Sequence, residues 1–295
     1  MLGYLRENNG KTDFDNRNQQ LCWHFIQTVY REKKWHVTFV SVRNSEWKKM
    51  DFSKYDTILH VAAIVHQKEQ PEMEALYYAV NTKLTEELAD KAKAERVRQF
   101  VFLSTMSVYG MTMGQITEET ECTPITFYGK SKLAAERYLC EQRSDTFKVA
   151  VIRPPMIYGK ACTGNYASLE KLAGKIPVFP RVSNERSMIY IENLCEFLYR
   201  IIRGDADGIY CPQNSQYVNT SDMVARIAES YGRSIWLVPG FEWIIGKLAG
   251  RVNIFSKVFG SLTYDRKLSF PEEVGEYEVV DFLESIKKSK EIEYE

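Results

Sequence analysis

The chain lacks any apolar run of roughly 18 or more residues, so no segment reads as a transmembrane helix. The stretch from Met1 to Gln20 is polar and has no apolar h-region, which argues against a signal peptide. Charge of either sign is not in excess: 39 Lys plus Arg stand against 39 Asp plus Glu. No global field is therefore expected to recruit nucleic acid or an anionic membrane. The six cysteines (Cys22, Cys122, Cys140, Cys162, Cys195 and Cys211) are scattered, without a Cys-x-x-Cys pair. That speaks against a disulfide framework or structural zinc and fits a reducing cytoplasm. The four histidines do not group with acids at ligand spacing, so no metal site is expected. Among them, His60 and His66 read as structural. Internal repeats and low-complexity tracts are missing too.

What is present suits a globular α/β protein. The 295 residues are 44% hydrophobic and 26% charged, enough for a substantial core. From Trp35 onward, strand and helix patterns alternate. His36 to Val42 and Thr57 to Ala62 read as strands, and Glu72 to Ala94 as one long helix with apolar residues at helical spacing. Arg98 to Leu103 reads as a strand, Ser131 to Glu141 as a helix, and Lys148 to Ile152 as a strand. This order calls for a parallel sheet flanked by helices, with ligands outside the carboxyl ends of the strands. After Gly159 the alternation loosens. Lys160 to Ser187 reads as loop-rich, Glu192 to Arg203 as a helix, and Gly208 to Cys211 as a short strand. A helix is expected from Ser221 to Tyr231, capped by Thr220 or Ser221. The apolar stretch Phe241 to Leu248 is expected to cover the substrate cleft, and Lys287 to Glu295 to fray.

The stretch with most chemistry is Tyr128-Gly-Lys-Ser-Lys132. Tyrosine and lysine four residues apart share a helix face. An ammonium beside a phenol favours the phenolate, which would turn an inert side chain into a usable proton acceptor near neutral pH. Upstream, Ser104 and Thr105 end a strongly apolar β-type run, where a hydroxyl could hold the substrate oxygen that exchanges the proton.

Together these residues resemble an extended short-chain dehydrogenase/reductase of the nucleotide-sugar epimerase/dehydratase kind. Asp56-Thr-Ile-Leu-His-Val-Ala-Ala63 resembles the family's strand that ends beside the cofactor, and Val80-Asn81 with Thr85 its following helix. Leu103-Ser-Thr-x-x-Val-Tyr-Gly110 matches the hydroxyl strand and makes Thr105 the better catalytic candidate than Ser104. Ile152-Arg-Pro-Pro-Met-Ile-Tyr-Gly159 resembles the strand passing the nicotinamide. Arg186-Ser-Met-Ile-Tyr-Ile191 resembles the segment that brings an arginine to the substrate's diphosphate.

The resemblance implies a Rossmann-like, doubly wound parallel sheet. Its core would span 35–159 and its smaller substrate-binding region 160–295, with 187–211 returning to the core. It implies Thr105, Tyr128 and Lys132 as catalytic residues. Val61, Ala62, Ala63, Asn81, Ser104, Tyr128, Lys132 and Pro154 would line the cofactor; Thr105, Met106 and Arg186 would meet the substrate. The implied activity is nucleotide-sugar epimerisation in the manner of UDP-glucose 4-epimerase, serving polysaccharide synthesis. An NADP-dependent 4-keto-sugar reductase and an inactive remnant are the alternatives. Met106-Ser107 stands where dehydratases of the family carry Asp-Glu, which disfavours dehydration. NAD is the implied cofactor; Arg43, after the strand at Thr38–Val42, would suit the 2′-phosphate of NADP. Homodimerisation through Glu72–Ala94 and Ser131–Glu141 is a family habit.

One family feature is missing from the sequence. The first strand and its glycine-rich turn, the pyrophosphate anchor, are not recognisable in 1–34, where Gly3 and Gly10 are the sole glycines. Two readings stand: a divergent or poorly ordered arm, or a reading-frame slip in the gene. Codons permitted for Asn9 to Tyr30, read one base later, can spell MGKLILTTGTNSYVGISFRQFT, an apolar strand with a Gly-x-x-Ser-x-x-Gly turn. Its turn glycines replace Arg17 and Trp23. We favour the slip; an AGA or CGC-type codon at Arg17 in the coding DNA would end that reading. As translated, the chain is expected to bind NAD and NADP weakly or not at all. Isothermal titration checks this, and sub-micromolar binding would refute it.

Overall fold

The computed structural model describes residues 2–3, 35–64, 69–160, 162, 165–240 and 259–290. Among them are twelve strands, in chain order β1 (Leu2–Gly3), β2 (Thr38–Phe39), β3 (Thr57–His60), β4 (Gln99–Leu103), β5 (Gly114–Ile116), β6 (Lys148–Ile152), β7 (Met156–Tyr158), β8 (Val178–Pro180), β9 (Met188–Tyr190), β10 (Gly208–Tyr210), β11 (Trp236–Val238) and β12 (Leu262–Tyr264). Six form one parallel sheet in the order β10-β6-β4-β3-β1-β2. Its centre is built from Val, Ile, Leu and Phe because both faces are covered. Phe100, Val101, Phe102, Val149, Ala150, Val151 and Ile152 are all fully buried. The order reverses between β1 and β3, the switch point where such sheets bind ligands. The other strands pair two by two, β5 with β12, β7 with β9 and β8 with β11.

Several expectations need correction. The first strand is not missing: Leu2 pairs with both Thr38 and Ile58, so a two-residue β1 occupies the middle of the sheet. The sequence hid it because two residues carry no periodicity. Residues 4–34, within the segment expected to be aberrant or poorly ordered, together with Phe241–Leu248, His66 and residues 291–295, lie outside the described residues.

Glu72 to Ala94 is not one α-helix. A 3₁₀ turn at Pro71–Met73 leads into Glu74–Tyr77, a π-type turn at Tyr78–Lys83, and then the α-helix Leu84–Ala94. The widened turn coincides with polar groups that hold it. Thr85 Oγ1 donates to the Asn81 carbonyl at 2.9 Å, and the Asn81 amide grips Ile64.

The helix expected from Ser131 begins at Phe127 and runs Phe127–Glu141. Thr126 Oγ1 accepts from Gly129 N at 3.0 Å, while the Glu69 carboxylate accepts from Phe127 N at 2.9 Å and Tyr128 N at 3.0 Å. An acid on these orphan donors is the favoured cap of a helix start. Within 160–187, the helix Asn165–Ala173 and β8 replace part of the expected loop. Asn219, rather than Thr220 or Ser221, caps Thr220–Ser230, accepting from Ser221 N and Asp222 N. Lys287 to Lys290 belong to the helix Phe282–Lys290 rather than to a frayed end.

The C-terminal part is tied to the sheet layer through Asn193 on the helix Ile191–Arg203. Its Oδ1 accepts from Val279 N and Val280 N, both at 3.0 Å, and its Nδ2 donates to Asn214 Oδ1 and the Val280 carbonyl. Asn193 is fully buried, so water cannot replace these bonds. Asn193→Ala is expected to cost about 2–4 kcal/mol of stability, read as a lowered urea midpoint at unchanged slope.

Candidate active site

The site is built where β3, β4 and β6 end. After β4 the chain turns at Thr105, whose Oγ1 accepts from Ser107 N at 3.1 Å and caps the 3₁₀ turn Met106–Tyr109. Gly110 closes that turn at φ 69°, a conformation glycine adopts without penalty, and a Cβ there would strike the Thr123 carbonyl. The helix Phe127–Glu141 comes close to this turn because residue 129 is glycine. A Cβ on Gly129 would lie 2.7 Å from the Ser107 carbonyl. The close approach brings the first helical turn against the end of β4, where the Thr105 hydroxyl acts on the Tyr128 phenol.

Lys132 follows one turn later and is 1% exposed. Its ammonium donates to the Leu103 carbonyl at 2.7 Å and sits 4.3 Å from the centre of the Phe102 ring. Burial pulls its pKa down to about 7, with the Glu136 carboxylate pulling the other way. Burial pushes the Tyr128 phenol up to about 12, opposed by the Thr105 hydroxyl. The expectation that Lys132 depresses the tyrosine is thus not met in this state. The ammonium is turned to the Leu103 carbonyl, and desolvation dominates the phenol.

The other predicted residues surround this centre. Val61 is buried after β3, with Ala62 and Ala63 half-buried beside it. Ile64 is held by the buried Asn81 side chain, whose Oδ1 accepts from Ile64 N at 2.8 Å; its Nδ2 donates to Ser131 Oγ at 3.0 Å. Asn81 therefore ties the chain after β3 to the helix Phe127–Glu141. Pro154 is buried, and its carbonyl accepts from Met106 N at 2.9 Å, setting the spacing between the ends of β4 and β6. Arg186 stands on another element, bridged to Val218 and Leu262, with Nη1 donating to the Gly260 carbonyl at 2.7 Å. Burial draws its guanidinium pKa down. Arg43 is exposed beyond β2. His60 is buried, shares a 3.1 Å hydrogen bond with Thr85 Oγ1 and stacks on Phe102. Burial, then the Lys132 charge, lowers its pKa to about 3, so the ring is neutral.

Sequence reasoning did not single out a buried polar network behind this centre. Ser104 Oγ donates to the Glu136 carboxylate, which also receives Arg153 Nε at 3.2 and 3.1 Å. Arg153 Nη1 donates to Tyr109 Oη at 2.8 Å, and Tyr264 Oη donates to the Arg153 carbonyl at 2.8 Å. Glu136 could have been found at helical spacing from Lys132 on a face otherwise apolar. Glu69, which grips the helix start, carries no such signal. A cavity of about 680 Å³ lined by Arg181, Asn184, Tyr217, Asn219, Ser221 and Ser261 includes none of the predicted site residues.

The profile of the NAD dependent epimerase/dehydratase family matches residues 7–210. A UDP-glucose 4-epimerase of Vibrio cholerae is 31% identical over 222 residues, covering 70% of this chain and 68% of the relative. An N-acetyl-alpha-D-glucosaminyl-diphospho-ditrans,octacis-undecaprenol 4-epimerase of Escherichia coli is 28% identical over 229 residues, covering 74% of this chain and 68% of the relative. Among solved structures, the UDP-glucuronic acid 4-epimerase of Bacillus cereus in complex with NAD aligns at a TM-score of 0.69 and 16% identity over 90% of each chain, a likeness of fold. The chain belongs to the NAD-dependent epimerase/dehydratase family, enzymes that modify sugars with a nicotinamide cofactor.

Proposed function

We propose that this protein is a nucleotide-sugar epimerase acting at a sugar carbinol through Thr105, Tyr128 and Lys132. The observation that carries the reading is the packing, through Gly129, of the helix turn bearing Tyr128 against the turn capped by Thr105 at the carboxyl end of the sheet. The two hydroxyls would meet a third, that of a substrate. The nicotinamide half of NAD fits the same place. Small residues, Ala62 and Ala63, leave room beside β3, and Lys132 offers a donor whose present partner is a single carbonyl. When bound, NAD supplies the hydride acceptor and donor.

The chain's own residues do the rest. Thr105 holds the reacting oxygen, and Tyr128 takes and returns its proton. Substrate entry places a hydroxyl on the phenol, and rotation of the Lys132 ammonium from Leu103 toward the phenol supplies the charge that its burial withholds. Arg186 is the donor fork for a substrate diphosphate. The names of the Vibrio and Escherichia relatives support 4-epimerisation of a UDP-linked or polyprenyl-diphosphate-linked sugar, and hence a role in surface polysaccharide synthesis. A reductase of 4-keto sugars using NADP is the second reading, favoured by Arg43 standing exposed after β2. A homodimer is the assembly we expect.

Incubation with UDP-glucose and UDP-N-acetylglucosamine, followed by proton NMR of the sugars, tests the proposal. C4 epimers without net NADH support it, whereas stoichiometric NADPH loss with a 4-keto sugar favours the reductase. Tyr128→Phe is expected to lower kcat by about 10²–10⁴-fold.

The buried lysine also gives a stability prediction with a fixed sign. Its folded pKa of about 7 lies below the unfolded value of about 10.4, so protonation opposes folding throughout that window. Stability contributed by this group rises with pH from about 7 to about 10.4. Lys132→Met is expected to raise the urea midpoint at pH 7 and to lose that advantage by about pH 10.

A further inference from the structure

Behind the proposed reacting groups, one buried carboxylate bonds both Ser104 and Arg153. Glu136 is 2% exposed and Arg153 7% exposed. Arg153 Nη2 meets Glu136 Oε2 at 2.5 Å, in addition to the two Nε contacts. The same carboxylate receives Ser104 Oγ, the residue directly before Thr105. Arg153 directly precedes Pro154, whose carbonyl holds Met106 N, directly after Thr105. Thr105 is thus flanked on both sides by bonds that lead back to the Glu136–Arg153 pair. Glu136 also lies four residues beyond Lys132, on the same helix face.

We propose that Glu136 is a positioning residue of the reaction. Its carboxylate locks the end of β4 to the chain after β6, fixing Thr105 beside the helix that carries Tyr128, and lies one helical turn from Lys132. The inference rests on the epimerase reading for its kinetic consequence, but not for its structural one.

The groups around Lys132 make the electrostatic part specific. From β3 comes His60, which is neutral; from β4, the Leu103 carbonyl and the Phe102 ring. From its own helix come Tyr128, one turn before, and Glu136, one turn after, the latter paired with Arg153. Burial disfavours the ammonium and Glu136 is the attraction that opposes it. Removing that charge while Arg153 stays would leave the buried guanidinium without its ion-pair partner. A structural role alone would require only that the pair be filled, by charges or by apolar groups of similar volume.

Two variants separate these roles. Glu136→Gln keeps the shape and removes the charge. Because an unpaired Arg153 could unfold it, the double variant Glu136→Met with Arg153→Met removes both charges and preserves an apolar interior. Full-length protein labelled with ε-¹³C lysine is titrated by NMR, the Lys132 signal being the one lost in Lys132→Met. The expected result is a Lys132 midpoint lowered by about one unit or more in Glu136→Gln, the scale on which a nearby charge moves a neighbour. In the folded double variant, kcat is expected to fall about 10²-fold, with KM within about threefold of wild type, the mark of lost alignment. An unshifted Lys132 midpoint in Glu136→Gln, or wild-type kcat in the folded double variant, overturns the proposal. If wild-type protein turns over no nucleotide sugar, the epimerase reading fails, while the lysine titration still decides whether Glu136 governs the ammonium.

Discussion

A lysine ammonium placed in the interior at the end of a parallel sheet is the constraint that shapes this structure. Transfer of such a charge out of water costs several kcal/mol even after relaxation, unless bonds and countercharge compensate it. Here the compensation is partial: one carbonyl, one aromatic face and a carboxylate one turn away. The incomplete balance holds the group near the point where it gains or loses its proton at neutral pH. Around it the protein keeps other charges away, with His60 neutral and Arg153 bound to Glu136.

The local backbone follows from the same requirement. The helix carrying Tyr128 and Lys132 can reach the β4 end only because Gly129 presents no side chain to the Ser107 carbonyl. Its first N–H groups would be orphaned there, and Thr126 and Glu69 accept from them. The π-type turn around Asn81 does corresponding work on the other side, holding Ile64 after β3 and Ser131 on the helix with one amide. Each element that ends near Tyr128 is thus bonded to a neighbour through a side chain, which limits the freedom of the intervening loops.

These details explain what the sequence could and could not disclose. The Phe100–Leu103 and Lys148–Ile152 runs were legible as buried parallel strands because continuous β-branched and aromatic stretches have few other uses. The spacing of Tyr128 and Lys132 was legible because helical geometry is fixed. Three things were not. β1 is two residues long and gains its place from its neighbours rather than from its own pattern. The π-type turn looks like ordinary helix, since the added residue leaves the hydrophobic spacing almost intact. The direction of the tyrosine shift depends on burial and on where an ammonium turns, neither of which is a property of spacing.

The same limits govern the choice among related activities. Epimerase, reductase and dehydratase share the phenol, the lysine and the cofactor, so the fold and these residues cannot separate them. The separation must come from groups added beside the reacting carbon. A dehydratase needs an acid to protonate the departing hydroxyl; Met106 and Ser107, next to Thr105, offer no carboxyl, and Glu136 on the far side of Ser104 is held by Arg153. An epimerase needs no further acid, because its hydride and proton return to the carbon and oxygen that gave them. Among the described residues, the carboxylates nearest this centre, Glu69 and Glu136, are engaged by the helix start and by Arg153, and this, rather than the sheet, weighs against dehydration.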